Sequence, residues 1–218
     1  MELPAVRMLA FIGGDNGGKS HLCADVAVDF ASKVIVVPET ATIFLKAGFP
    51  LENWSQEKQR WFQYAIFHSQ LAREEAYILD AIAQGKDLIL DRPTPDIIIF
   101  WPGYPSIPSA KELFELSFNI SLDSLFARYQ RLVHLETQAR RFPEAFLAMK
   151  NQTRVRDQIG QDEEETSRLT IERAIRLDDR TSELYSPHPG YERVLATEHF
   201  RDKRNRALEI VEEFVKEK

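Results

Sequence analysis

Four glycines in six residues, Gly13-Gly14-Asp15-Asn16-Gly17-Gly18, run directly into Lys19 and Ser20. On one side of them lies a nearly unbroken apolar run, residues 5–12. On the other, Leu22, Val26, Ala27 and Phe30 recur at helical spacing. A strand, a glycine-rich loop and a helix in that order restrict the fold sharply, because the spacing Gly13-x-x-x-x-Gly18-Lys19-Ser20 is a complete Walker A pattern. The chemistry asks for each residue type. Glycines let backbone N–H groups curl around phosphate oxygens, and the helix start behind them adds its dipole. Lys19 is placed to reach β- and γ-phosphates, and the Ser20 hydroxyl to ligate Mg²⁺. His21 stands where Thr or Ser is frequent and removes no required group. Residues Gly13, Gly14, Asp15, Asn16, Gly17, Gly18, Lys19, Ser20 and His21 are therefore the expected nucleotide cradle.

Further along, residues 34–37 (Val-Ile-Val-Val) form a β-branched strand ending at Pro38, and 40–47 a short helix closed by Gly48. Ser55 opens a long helical pattern that Gly85 stops. Its expected core face carries Trp61, Ala65, Ala72, Leu79 and Ala83, with Phe62, Ile66 and Ile82 beside them. Residues 88–90 make a third strand, and the proline-rich stretch 92–108 reads as irregular, with one helical turn at 96–101. A short helix at 121–129 and a fourth strand at 132–135 follow. The polar, basic stretch 140–161 reads as mobile. A helix at 163–184, a fifth strand at 191–196 and a closing helix at 199–218 complete the chain.

Strands that are apolar throughout and alternate with helices imply a parallel sheet covered on both faces. At 218 residues, 44% hydrophobic and 28% charged, one α/β domain spanning 1–218 is the expectation. The single cysteine, Cys23, excludes an intrachain disulfide and a cysteine-rich zinc site, and reads as packing on the first helix. His68, His134, His188 and His199 show no ligand spacing with carboxylates. Apolar runs such as residues 97–101 are far short of a membrane helix, and residues 8–12 are too short for a signal-peptide core. A cytoplasmic protein is expected. A formal charge of -6 argues against general nucleic-acid binding.

In open α/β sheets ligands sit beyond the carboxyl ends of the strands. Two strands here lead into acids at that edge: 34–37 into Glu39, and 88–90 into Asp91. Asp91 has the position of a Walker B acid that holds Mg²⁺, with Arg92 beside it for a phosphate or substrate oxygen. Glu39 is a candidate general base for an acceptor hydroxyl. The competing reading is that both acids merely cap the next helix. Gln63, Gln70 and Glu74 share one stripe of the long helix, facing either an acceptor pocket or solvent. Arg140, Arg141, Lys150, Arg154 and Arg156 form either a phosphate-stabilising lid within 138–162 or a solvated basic face.

The motifs also run in a recognisable series. Val37-Pro38-Glu39-Thr40-Ala41-Thr42 follows the glycine loop, then Gln63 and Gln70, Asp91-Arg92, and Leu132-Val133-His134-Leu135-Glu136-Thr137. Asn151-x-x-Arg154, Ala174-x-x-x-Asp178, His188-Pro189 and Phe200-x-x-Lys203 complete it. This order resembles the AAA-type P-loop ATPase family related to the ribosylnicotinamide kinase domain of the bacterial NAD regulator NadR, over nearly the whole chain. The resemblance implies a P-loop NTPase three-layer sandwich of nucleoside/nucleotide-kinase type, with a parallel five-stranded sheet in the order 2-3-1-4-5. It also implies that Glu39 and Asp91 line the acceptor side and that Arg154 belongs to the lid. The chain departs from the family pattern at Pro93, where a glycine is usual after the Asp-Arg pair.

Together these readings lead to an expected Mg²⁺·ATP-dependent kinase acting on a small, nucleoside-like or other small-molecule acceptor. Lys19, Glu39, Asp91, Arg92 and Arg154 are the expected catalytic groups, and Ser20 and Asp91 the expected metal ligands. An NTP-binding switch or slow ATPase with a protein partner is the alternative. A guanine-specific Asn-Lys-x-Asp motif is absent.

Overall fold

A computed structural model describes residues 6–14, 17–49, 55–103, 106–153 and 163–217, with side chains of 149–153 and 163–166 excepted. Its sheet has five strands: β1 (Met8–Ile12), β2 (Val34–Val37), β3 (Asp87–Asp91), β4 (Arg131–Leu135) and β5 (Tyr191–Val194). They lie in the order β2-β3-β1-β4-β5, and every neighbouring pair is parallel. The expected P-loop NTPase architecture is therefore the one the chain adopts, its last strand two residues shorter than the pattern suggested.

The centre of the sheet shows why. All five residues of β1 are buried, and successive side chains of a strand point to opposite faces. Met8, Ala10 and Ile12 enter one apolar core, while Leu9 and Phe11 enter the other. The first core is covered by α3 (Gln56–Gln84), α4 (Ile107–Phe118) and α5 (Leu122–Phe126). Leu22, Cys23 and Val26 of α1 (Lys19–Asp29) and Ala207, Ile210, Val211 and Phe214 of α8 (Phe200–Lys216) pack the second. Cys23 is buried among them and burial pushes its thiol pKa well up, so it packs as expected.

The face of α3 differs from the expectation. Trp61 and Leu79 are 64% and 67% exposed, and Ala72 and Ala83 are exposed too. The buried stripe is Phe62, Gln63, Phe67, Gln70, Glu74 and Ala81. A hydrophobic-period argument turns polar residues outward. Here three polar side chains face inward because the neighbouring segment supplies partners for two of them. Gln70 donates to the Arg92 carbonyl (3.2 Å), and Glu74 accepts from Thr94 Oγ1 (2.8 Å) and the Tyr129 hydroxyl (2.9 Å).

Two further segments are more ordered in structure than in pattern. The stretch after β3 contains a 3₁₀ turn, Thr94–Ile98, buried throughout, and then α4, whose N-cap Ser106 accepts from the Ser109 N–H. The supposedly mobile stretch 140–161 begins with α6 (Pro143–Thr153). Phe146, 1% exposed, anchors it against Ala139 and against Ala174 of α7 (Glu163–Tyr185). Arg140 and Arg141 are exposed, and each is paired with an acid. Arg141 Nε lies 2.7 Å from Glu136, and Arg140 bonds Asp179. Arg154 and Arg156 lie outside the described residues, as do Asp15, Asn16 and the side chain of Lys150.

Candidate functional site

The parallel registers bring the expected residues to one edge. Phe11 pairs with Asp91 and Val37 with Leu90, so the residues following β1, β3 and β2 emerge side by side. Gly13 has φ 135° and a Cβ there would sit 2.6 Å from the Leu135 carbonyl oxygen. Only glycine allows that approach. Gly18, at φ 88°, N-caps α1 and would meet the Phe200 ring at 2.1 Å. The loop is thus closed against β4 and against the start of α8.

Inside this loop Lys19 is buried, its Nζ donating to the carbonyls of Gly13 (3.0 Å) and Gly14 (2.7 Å). Ser20 is exposed and its hydroxyl donates to Asp91 Oδ2 at 2.7 Å. The other carboxylate oxygen of Asp91 is buried and has no hydrogen-bond partner among the described residues. A buried acceptor left empty is costly, and an oxygen pair of Ser20 and Asp91 beside a phosphate loop suits a hard divalent cation that keeps its other ligands as water and phosphate. The residues therefore fit Mg²⁺. Burial raises the Asp91 pKa and the Glu39 charge adds to that, against the pull of Lys19 and the Ser20 hydrogen bond. Among the described residues no group of three or more His, Cys, Asp or Glu forms a separate metal site.

Arg92 links the loop to a neighbouring cavity. Its Nη1 donates to the Gly13 carbonyl (3.0 Å) and to Asp96 Oδ2 (2.7 Å), its Nε to Glu39 Oε1 (2.7 Å), and its guanidinium lies 5.0 Å from the Phe100 ring centre. It also adopts φ 76°, an αL backbone rare for a side-chain-bearing residue. Such a conformation costs about 1–3 kcal/mol and persists where the surroundings impose it. Pro93 follows in an extended conformation. The left-handed residue here is thus Arg92 itself, directly before the proline. Its carbonyl is caught by Gln70 and its amide by the Phe11 carbonyl.

Glu39 sits at the N-cap position of α2 (Thr40–Lys46), but its side chain makes no cap bond. It instead accepts from Arg92 and from the Thr42 hydroxyl. Burial works to raise its pKa, yet Arg92, Thr42 and Lys19 outweigh that and hold it below the ordinary carboxylate value. Glu39 is ionised at neutral pH, and the helix-capping alternative fails for it.

The cavity itself measures about 280 Å³, near the lower bound for small-ligand sites, about 300 Å³. Glu39, Arg92 and Asp96 form its charged side, Phe62, Ile66, Ile97 and Phe100 its apolar wall, and Gln63 and Gln70 contribute amides. Gln63 and Gln70 thus line a pocket, and Glu74 sits behind them within the protein. Arg173 of α7 completes the lining. Asp96 and Arg173 carried no signal in the sequence reading. Asp96 is distinguishable only by lying four residues after Arg92, and Arg173 by preceding Ala174, whose carbonyl closely approaches Gly14.

On the far side of the loop, His134 is fully buried between the Tyr191 hydroxyl (2.7 Å) and Asp178 (3.0 Å). Arg193 bridges Asp178 and Glu136 at 2.7 and 3.0 Å. Asp178 is held below its usual pKa: burial opposes this, and His134, the Thr137 N–H and Arg193 prevail. His21 is exposed and meets Phe200 edge-on at 6.4 Å.

A family model described as an AAA domain matches residues 8–194. No curated protein matches the chain.

Proposed function

The chain belongs to the AAA domain family of P-loop nucleotide-binding proteins, and from that premise we propose that it is a Mg²⁺·ATP-dependent kinase of a small hydroxyl-bearing acceptor, nucleoside-like in size. The observation that carries this reading is Arg92, which touches the Gly13 carbonyl of the phosphate loop and the Glu39 carboxylate of the cavity at once. A hydrolase or switch has no need of a walled acceptor cavity joined to its phosphate loop in this way. The Tyr185 hydroxyl donates to Asp96 at 2.7 Å, which fixes the carboxylate that fixes Arg92.

In this reading the loop amides, Lys19 and Ser20 bind the triphosphate, and Ser20 and Asp91 hold the metal. Bound Mg²⁺ neutralises charge on the phosphoryl oxygens. The acceptor hydroxyl lies against Glu39. Its oxygen forms the new bond to the γ-phosphorus as the bond to the β–γ bridging oxygen breaks. ADP departs, and the hydroxyl proton passes to the Glu39 carboxylate. Because phosphoryl transfer proceeds with little bond formation early on, an ionised carboxylate of low pKa suffices as the acceptor of that proton. Arg92 supplies positive charge at the boundary of the two subsites, and the sequence assigns Arg154 the same task.

ADP formation measured with and without a panel of nucleosides, nucleoside monophosphates and small alcohols tests the proposal. Acceptor-dependent turnover, lost in Lys19→Ala and lowered at least a hundredfold in Glu39→Gln, supports it. Slow turnover indifferent to every acceptor and to Glu39→Gln refutes it in favour of a nucleotide switch.

A further inference from the structure

Lys203 lies in the first turn of α8, beyond the family-matched residues, and is 2% exposed. Its Nζ donates to the Gly17 carbonyl at 2.8 Å and the Glu136 carbonyl at 2.6 Å, both buried contacts. Among the described residues its only partners are these two backbone oxygens. Burying an ammonium without a carboxylate against it is expensive, and an apolar side chain of similar length would fill the space more cheaply. What the lysine provides is a grip on the second half of the phosphate loop. Lys19 grips the first half, through Gly13 and Gly14.

The grip has a directional consequence. In a planar trans peptide the C=O and the following N–H point in opposite directions. Holding the Gly17 carbonyl toward α8 therefore turns the Gly18 N–H away from α8. Phe200, one turn earlier on the same helix, lies against Gly18, where a Cβ would meet its ring at 2.1 Å. We propose that Lys203 is a positioning residue of the nucleotide site, fixing the Gly17–Gly18 peptide so that its N–H is presented to a bound phosphate. The start of α8 is then part of the phosphate-binding apparatus, whatever reaction follows.

The charges around Lys203 connect this role to pH. Burial first, and then Lys19 on α1, push its pKa down to about 7, while Asp178 on α7 and Glu136 after β4 act to raise it. Arg193 of β5 is bonded to both of those acids and offsets their pull. An arriving polyphosphate favours the protonated amine, so nucleotide binding takes up a proton above pH 7. Linkage then makes affinity fall with rising pH, by at most tenfold per pH unit.

The experiment is a titration of the full chain with Mg²⁺·ADP at pH 7.5 to 9, where the phosphates are already ionised (second pKa about 6). The expected result is a steady loss of wild-type affinity, about tenfold across that range. Lys203→Met should bind about tenfold more weakly at pH 7.5 and show a flat profile. Lys203→Arg, which keeps the donors and the charge, should recover much of the affinity but also lose the pH dependence. A Lys203→Met variant that binds as tightly as the wild type at pH 7.5, or whose pH profile matches the wild type's, overturns the proposal. If Lys203→Met does not fold, Lys203→Arg decides, since a profile as pH-dependent as the wild type's would overturn it. The titration reads binding only, so a failure of the kinase reading leaves the proposal intact.

Discussion

Replacing Gly18 with alanine is the sharpest probe of how the phosphate loop is held. Two separate costs arise. The residue sits at φ 88° and ψ 7°, where a Cβ costs about 1–2 kcal/mol. The new methyl would also lie 2.1 Å from Phe200 Cε2 and 2.6 Å from its Cζ. Ordinary carbon contacts are about 3.5–4.0 Å, so the ring must retreat by well over an ångström. Phe200 is half-buried and can swing outward, forfeiting about 1 kcal/mol of the roughly 1.5–3 kcal/mol that full burial of such a side chain is worth. Gly18→Ala should therefore cost about 2–3 kcal/mol. In a Phe200→Ala background the overlap is gone and only the backbone cost remains. The same substitution should then cost about 1 kcal/mol less, a coupling measurable in a double-mutant cycle. Urea denaturation followed by circular dichroism gives the four stabilities. Equal costs in the two backgrounds would refute the account, because they would mean that Phe200 does not close over the loop.

Other expectations follow from single contacts. Lys203 binds its proton less tightly folded than unfolded, so the unfolded chain holds more protons between pH 7 and the ordinary lysine range and stability rises with pH there. With a folded pKa of about 7 against 10.5, the wild type should gain about 2 kcal/mol over Lys203→Met between pH 7 and 9; parallel denaturation curves would contradict this. Asp91 has a raised pKa, so Mg²⁺-dependent nucleotide affinity should weaken as pH falls through the acid range, and Asp91→Asn should abolish the Mg²⁺ dependence in a titration with and without the metal. Phe146→Ala should cost about 3 kcal/mol in thermal or urea melts if α6 is docked as a buried helix; an effect under about 0.5 kcal/mol would return residues 143–153 to the mobile class.

The strands themselves and the glycine loop were legible from local pattern because each depends on neighbours in sequence, whereas the order of the strands in the sheet was implied only by the family resemblance. A β-branched run ending at Pro38 and an apolar run ending at Asp91 are buried parallel strands almost wherever they occur in such a series. The same holds for Glu39 and Asp91 as strand-end acids, and for Cys23 as a packing residue. The inward turn of α3 was half legible. The sequence left Gln63, Gln70 and Glu74 facing either an acceptor pocket or solvent, and only the fold decides it, by putting Gln63 and Gln70 on the cavity and by bringing Arg92, Thr94 and Tyr129 to Gln70 and Glu74. Helix α6 was not legible, because it lies in a polar, basic stretch and is docked by the buried Phe146.

The phosphate loop and the parallel sheet belong to the chain's local chemistry, since glycine's freedom and strand periodicity act over a few residues. The cavity, the left-handed Arg92 and the hold of Lys203 on Gly17 belong to the tertiary structure. Each joins groups 53 to 186 residues apart, as in Arg92 with Glu39 and Lys203 with Gly17. Removing a charge from water is tolerable only where such distant partners converge, and no property of the local sequence records where that happens.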